Sequence, residues 1–311
     1  MQSFLRRLAC LLLAIFSALS ISASAQQPEA AAAAPPPVPA APVAERIAPA
    51  LWKVSDADTT IWLFGTIHAL PEGVDWFHGP VREAFDGSQE LVTEIVGGDA
   101  TEMQQLVLTH AMLPEGQTLR GLLTPEQNAA YEAQLAKLGL PAQAFDGYEP
   151  WYAAVALSTL PLMRTGYDPK HGVEQVLDTR AKALGRAHSG LETPAYQIGL
   201  FDSLPLEAQK RYFADVVEQL PTVTEQLGLM VGAWRRGDAE ALAKLMNDEA
   251  DDPALIEMLL TGRNKIWAQW VKKRLDTPGT VFVAVGAGHL AGPGSLQDQL
   301  AAQGVTTTRV Q

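Results

Sequence analysis

The chain has 311 residues, with 35 Asp and Glu against 23 Lys and Arg, and a formal charge of −12 at pH 7. A balance this acidic makes nucleic acid and anionic lipid poor partners. The single cysteine, Cys10, falls in a segment expected to be removed, which leaves no disulfide and no thiolate metal ligand.

Residues 1–25 have the layout of a secretory signal peptide. Arg6 and Arg7 precede an almost wholly apolar run from Leu8 to Ile21, and Ala23-Ser24-Ala25 forms a small-residue cleavage site. The mature chain is expected to begin at Gln26 and to be exported, periplasmic or secreted. The apolar run is too short for a membrane span, and none is expected in the mature protein. Loss of Arg6 and Arg7, with no acid removed beside them, takes the charge from −12 to −14. Residues 26–48 are Ala/Pro-rich and read as a disordered linker. Residues 49–311 are long enough for one α/β domain.

Ala50 to Ser55 and Thr59 to Phe64, joined by Asp56-Ala57-Asp58, predict a β-hairpin. The second strand runs into Gly65-Thr66-Ile67-His68. A Gly/Pro loop at Pro71 to Gly73, a helix over Pro80 to Phe85 and a strand over Leu91 to Val96 follow. Glu94 falls in the middle of that last strand, where a carboxylate must face a cation, a metal or a polar cleft.

The stretch of about 101–276 predicts a helical insertion. Thr124-Pro125, Asp168-Pro169, Thr193-Pro194 and Asp252-Pro253 read as starts, and Gly139, Gly166, Gly185 and Gly237 as stops. Within it Arg186 to Leu191 predicts a short strand ending at Glu192.

Thr280 to Val285 is a β-branched and aromatic run of the buried parallel type. It opens into Gly286-Ala287-Gly288-His289, then a Gly/Pro loop, a helix over Ser295 to Ala302 and a strand over Val305 to Val310. The expected fold is α/β. Its central mixed sheet is built from two strand–G-x-x-H–helix–strand repeats, with the helical insertion between them. His68 and His289 are then delivered at the carboxyl ends of buried strands, where open α/β sheets place ligands.

Two imidazoles and a buried carboxylate suit a divalent metal, with His68, His289 and Glu94 as ligands and an open position for water. Glu94 is either the third ligand or the base that takes the water's proton. Arg263 either holds a substrate carboxylate bidentately or pairs with Glu94, and Asn264 is placed to donate to an oxyanion. Glu192 reads equally as a site acid or as the acid near its helix start. His78, His110, His171 and His188 lack such a context and read as non-catalytic.

At these residues the chain resembles the TraB/PrgY/GumN family. L-W-K-V at 51–54, W-L-F-G-T-I-H at 62–68, L-V-T-E at 91–94, G-L-E-T with a following Gln at 190–197, R-N-K-I-W at 263–267 and V-G-A-G-H-L-A-G at 285–292 carry the resemblance. That family is similar to the Tiki proteins, described as proteases dependent on Mn²⁺ or Co²⁺, and more distantly to erythromycin esterases. The resemblance implies that His68, His289 and Glu94 are the metal-site residues and that the substrate is a peptide or a small amide or ester. By their chemistry the same donors also suit Zn²⁺. The leading expectation is an exported metal-dependent peptidase using a metal-bound water. The alternatives are a metal-independent His/Glu hydrolase, with a histidine as base and Glu94 orienting it, and a non-catalytic periplasmic binder that sequesters peptides.

Overall fold

The computed structural model describes residues 47–97, 100–246 and 253–311. The expected signal peptide and the linker as far as residue 46 lie outside the described residues.

Strands β1 (Leu51–Ser55) and β2 (Thr59–Thr66) form the hairpin. The Asp56 carboxylate closes its turn by accepting from the backbone N–H of Asp58 and of Thr59, at 3.2 and 2.8 Å. Helix α1 (Gly79–Asp86) and strand β3 (Glu90–Thr93) come next. The insertion then supplies α2 (Ala100–His110), α3 (Leu119–Leu122), α4 (Pro125–Lys137), α5 (Pro150–Arg164) and α6 (Val173–Ala183). It continues with strand β4 (Ala187–Gly190), α7 (Pro194–Asp202), α8 (Leu206–Gln219), α9 (Val223–Arg235), α10 (Ala239–Met246) and α11 (Pro253–Ile256). A π-helical turn (Glu257–Thr261) leads into α12 (Gly262–Arg274), and β5 (Gly279–Gly286), a 3-10 turn (Ala287–Leu290), α13 (Leu296–Ala302) and β6 (Thr308–Arg309) end the chain.

The sheet is six-stranded and mixed, in the order β4-β3-β5-β2-β1-β6. Strands β4, β3, β5 and β2 are parallel, and β1 runs antiparallel to both β2 and β6. Both faces are buried, as the near-continuous apolar runs of parallel strands require. On one face Phe64, Leu91, Phe282 and Ala284 pack against α1, α6, α9 and α10. On the other, Ile61, Leu63, Val92, Val281, Val283 and Val285 pack against α12 and α13. A second core inside the insertion joins α2, α4, α5, α7 and α8 around Tyr131, Trp151 and Tyr212.

The local signals explain several boundaries. Thr124 and Gln127 form a capping box at the start of α4, and the Thr193 hydroxyl accepts from the Tyr196 N–H at the start of α7. Asp168-Pro169 starts only a 3-10 turn, Pro169–His171, before α6 begins at Val173.

Three expectations change. The strand expected over Leu91 to Val96 ends at Thr93, so Glu94 is the first residue beyond it. The chain bends there because the Thr93 hydroxyl donates to the Ile95 carbonyl and the Glu192 N–H donates to the Glu94 carbonyl, both at 2.7 Å. The strand expected over Val305 to Val310 shrinks to Thr308–Arg309, whose side chains are exposed at the sheet edge. The two G-x-x-H segments are not in equivalent register either, since Thr66, not Gly65, lies opposite Gly286.

Candidate active site

The carboxyl ends of β2, β3 and β5 lie side by side, which gathers three of the sequence candidates. Gly65 permits the closest approach, because a Cβ there would stand 3.0 Å from the Ala287 Cα of the second loop. The first loop is held from outside: the Trp234 indole of α9 donates to the Gly65 carbonyl at 2.7 Å, and the Val173 N–H at the head of α6 donates to the Ile67 carbonyl at 3.0 Å.

Glu94 is buried, and both of its oxygens accept hydrogen bonds. One oxygen accepts from the Gly286 N–H at 2.7 Å, and the other accepts from Arg263 at 2.6 Å and from Gln197 at 3.1 Å. Burial alone would raise its pKa, but the Arg263 guanidinium, then the two histidines and the Gly286 N–H, hold it down at about 2. The cation that answers Glu94 in the protein is therefore Arg263.

Arg263 is only 4% exposed. Its Nε and Nη2 donate to Glu192, Nη2 also reaches Glu94, and Nη1 donates to the Leu259 carbonyl at 3.1 Å and to His289 Nε2 at 3.2 Å. Its face stacks on the Trp267 ring, and the Trp267 indole N–H donates to Glu192. A guanidinium has five N–H donors, and each direction is already taken by a protein acceptor. Of the two readings of Arg263, the geometry realises the pairing with Glu94 and leaves no donor for a substrate carboxylate. Glu192 is accordingly a member of this buried cluster rather than merely an acid near a helix start.

His289 is fully buried behind Glu94. Its Nδ1 lies 2.6 Å from the Asn264 carbonyl oxygen, which fixes Nδ1 as the donor and Nε2 as the acceptor of the Arg263 hydrogen bond. Burial, reinforced by the Arg263 charge, depresses its pKa to about 3, so the ring is neutral. Asn264 is itself buried and donates to the Gly294 carbonyl at 2.9 Å. It orients His289 and does not reach the cleft wall.

His68 is different. Its Nδ1 stands 2.5 Å from the Glu174 carboxylate of α6, an ion-pair contact out of line for a hydrogen bond, and the Thr66 hydroxyl donates to the same Glu174 oxygen. Both His68 ring nitrogens are buried and neither makes a hydrogen bond, so Nε2 has no partner of any kind among the described residues. Burial works against protonation, and Glu174 together with Glu94 more than offsets it, so the His68 pKa is raised. His68 and Glu94 face one cleft of about 120 Å³, and Thr93, Ile95, Glu174, Asp178 and His188 complete most of its wall.

His188, read from the sequence as non-catalytic, therefore stands in the cleft wall. Its ring bridges Asp178, at 3.0 Å, and the Thr93 hydroxyl, at 2.8 Å. Glu174 and Asp178 were not singled out in the sequence. Their one signal is helical spacing, since residues four apart share a face of α6. Gln197 and Trp267 sat inside quoted motifs without a role. Among the described residues no group of three or more His, Cys, Asp or Glu side chains is gathered closely enough to hold a metal ion.

A buried carboxylate–guanidinium–imidazole cluster behind a cleft, at the strand ends of a mixed α/β sheet, is a site of the catalytic or ligand-binding kind. Residues 50–309 match the family model described as the TraB/PrgY/gumN family, and the chain belongs to that family. It is 23% identical over 264 residues to an "Uncharacterized protein" of Treponema pallidum (strain Nichols), covering 79% of this chain and 78% of that one. It is 25% identical over 219 residues to "Uncharacterized protein YbaP" of Escherichia coli (strain K12), covering 68% of this chain and 80% of that one. No solved structure matches.

Proposed function

We propose that the protein is an exported hydrolase of a peptide or a small amide or ester, with His68 as the general base of the cleft. The observation that carries this reading is the His68 imidazole. Its Nδ1 lies in ion-pair contact with the Glu174 carboxylate, its Nε2 is buried without a partner, and the residue lines a cleft that Glu94 also faces. A base needs this arrangement: one nitrogen fixed, the other free to take a proton, and a carboxylate to offset the imidazolium that forms. Glu174, not Glu94, is then the partner that orients the histidine. Glu94, held ionised by Arg263, offers an acceptor to the attacking water or to a substrate N–H. Arg263, Asn264, His289 and Glu192 hold Glu94 in place and act from behind it.

A second reading is metal-dependent, as similarity to the Tiki proteins implies. Its support is the 3.8 Å separation of His289 Nε2 and a Glu94 oxygen. That lies within the roughly 4 Å that two ligands of one ion span when each bond is ~2 Å. A divalent Mn²⁺, Co²⁺ or Zn²⁺ ion held by these two residues and His68 would supply Lewis-acid activation of water. Arg263 would have to give up His289 Nε2, so the metal-independent reading fits this geometry better. The signal-peptide pattern of residues 1–25 supports export, and among the described residues no helix is long and apolar enough to cross a membrane.

The test is turnover of a peptide library by the mature protein, after exhaustive chelation and after addition of Mn²⁺, Co²⁺ or Zn²⁺. Turnover that survives chelation supports His68 as base. Turnover only with metal transfers the site to the second reading. Binding without turnover in every condition makes the protein a peptide-sequestering binder.

A further inference from the structure

We infer, building on the hydrolase reading of the same site, that its substrate carries a positive charge beside the bond that is cut. The cleft is lined by the carboxylates of Glu94, Glu174 and Asp178 and by His68 and His188, and among the described residues no Lys or Arg lines it. Glu174 and Asp178 lie one turn apart on the same face of α6, with Cβ atoms about 5–6 Å from each other.

The negative charge of these walls exceeds what the protein's own cations answer. In the inner cluster one guanidinium, Arg263, serves two carboxylates, Glu94 and Glu192. That group keeps a net negative charge. In Glu174, one oxygen takes both Thr66 and His68, and the other has no protein donor among the described residues; the side chain is 25% exposed. Asp178 is 19% exposed; it meets the His188 ring at 3.0 Å, and its lysine, Lys182, is an i,i+4 surface partner exposed to 74%. Such a pair neutralises little, because solvent screens it.

Acidic walls alone do not define a ligand. The second observation is His68 Nε2, 95% buried by residue and unpartnered at this cleft. It marks where the reacting atoms sit, in the cleft that Glu174 and Asp178 also line. A cation on the substrate in that cleft completes the charge balance, whereas a carboxylate there meets repulsion in a partly desolvated site. Two groups of one chemistry satisfy this: a free terminal ammonium, or a Lys or Arg side chain next to the scissile bond.

The test uses the full mature chain in chelator at low ionic strength and isothermal titration with three alanine hexapeptides. One is blocked at both ends with a central Lys, one is blocked with a central Glu, and one has a free amino terminus and no Lys. The Lys peptide or the free-amine peptide is expected to bind at least about tenfold tighter than the Glu peptide, with the advantage shrinking as salt is raised. Which of the two binds identifies the source of the charge. Asp178→Asn should reduce the Lys-to-Glu ratio several-fold, and the wild-type ratio decides the matter even if that variant does not fold. Equal binding of the Lys and Glu peptides, or no binding of any of the three, overturns the inference. Turnover of Lys and Glu peptides with equal KM overturns it while leaving the hydrolase intact. Preferential binding of the cation without turnover does the reverse.

Discussion

His68 can serve as a base only while its ring is oriented, and the Glu174 charge, 2.5 Å from Nδ1, favours the proton on that nitrogen. Glu174→Gln should therefore lower kcat by up to about 10⁴-fold with the fold intact, as replacing the carboxylate beside a general-base histidine does. Circular dichroism beside kinetics checks it, and unchanged kcat would separate Glu174 from the chemistry. Arg263 presents the opposite case, a residue whose loss is structural first. Arg263→Met leaves Glu94 and Glu192 buried without their shared cation, which should cost about 3–5 kcal/mol in urea unfolding; adding Glu94→Gln should recover part of it. The cluster also sets a pH dependence in the metal-free protein. The unfolded chain protonates His289 near its ordinary 6.5, whereas the folded chain resists until about 3. Below pH 6.5 the unfolded state therefore binds more protons, and stability present above 6.5 is lost as pH falls toward 3. Glu94 adds to this in the same direction between its ordinary 4.5 and about 2. His289→Gln should flatten the upper part of this decline, and an unchanged profile would show that His289 is not held neutral.

At the scale of elements, α6 is the piece that connects the loop of His68 to the cleft. Its head docks on that loop so closely that a Cβ on Gly172 would lie 2.1 Å from the His68 carbonyl oxygen. Gly172→Ala must push the loop away, so it should destabilise by about 1–3 kcal/mol, as overpacking does, and lower activity by more than its stability loss explains. Normal activity in a folded Gly172→Ala protein would show that the His68 position is not set by this contact. The elements also show what the sequence can and cannot disclose. The strands over Thr59 to Phe64 and Thr280 to Val285 were legible because β-branched apolar runs bounded by glycine leave no other way to bury themselves. Glu94 was legible as a residue needing a cation, yet its place was misread: burial suggests a strand interior, and only the Glu192 N–H, from a strand end far along the chain, shows the bend. The His68–Glu174 contact spans more than a hundred residues and leaves no periodic trace, so the partner of the base stayed hidden. For Arg263 two roles stayed open until packing put Leu259, Glu192 and Glu94 around it.

Across the whole molecule, the insertion is both cover and separate body. Its helices α6, α9 and α10 cover one face of the sheet and α12 the other, while α2, α4, α5, α7 and α8 build a core of their own. The helix α5 joins the two, with Trp151 to Leu157 in the helical core and Leu162 in the sheet core. We expect a single cooperative unfolding transition, with Trp151→Ala shifting it by about 3–5 kcal/mol. Two separated transitions, one insensitive to Trp151→Ala, would show that the helical body folds apart from the cleft.

The central claim is that His68 takes the proton. The measurement that tests it most directly is single-turnover hydrolysis of a peptide substrate in chelator by wild type and by His68→Gln, both shown folded. A fall of ~10²–10⁴-fold in the rate of the variant, with substrate affinity retained, is the predicted result; equal rates in the two proteins would contradict it.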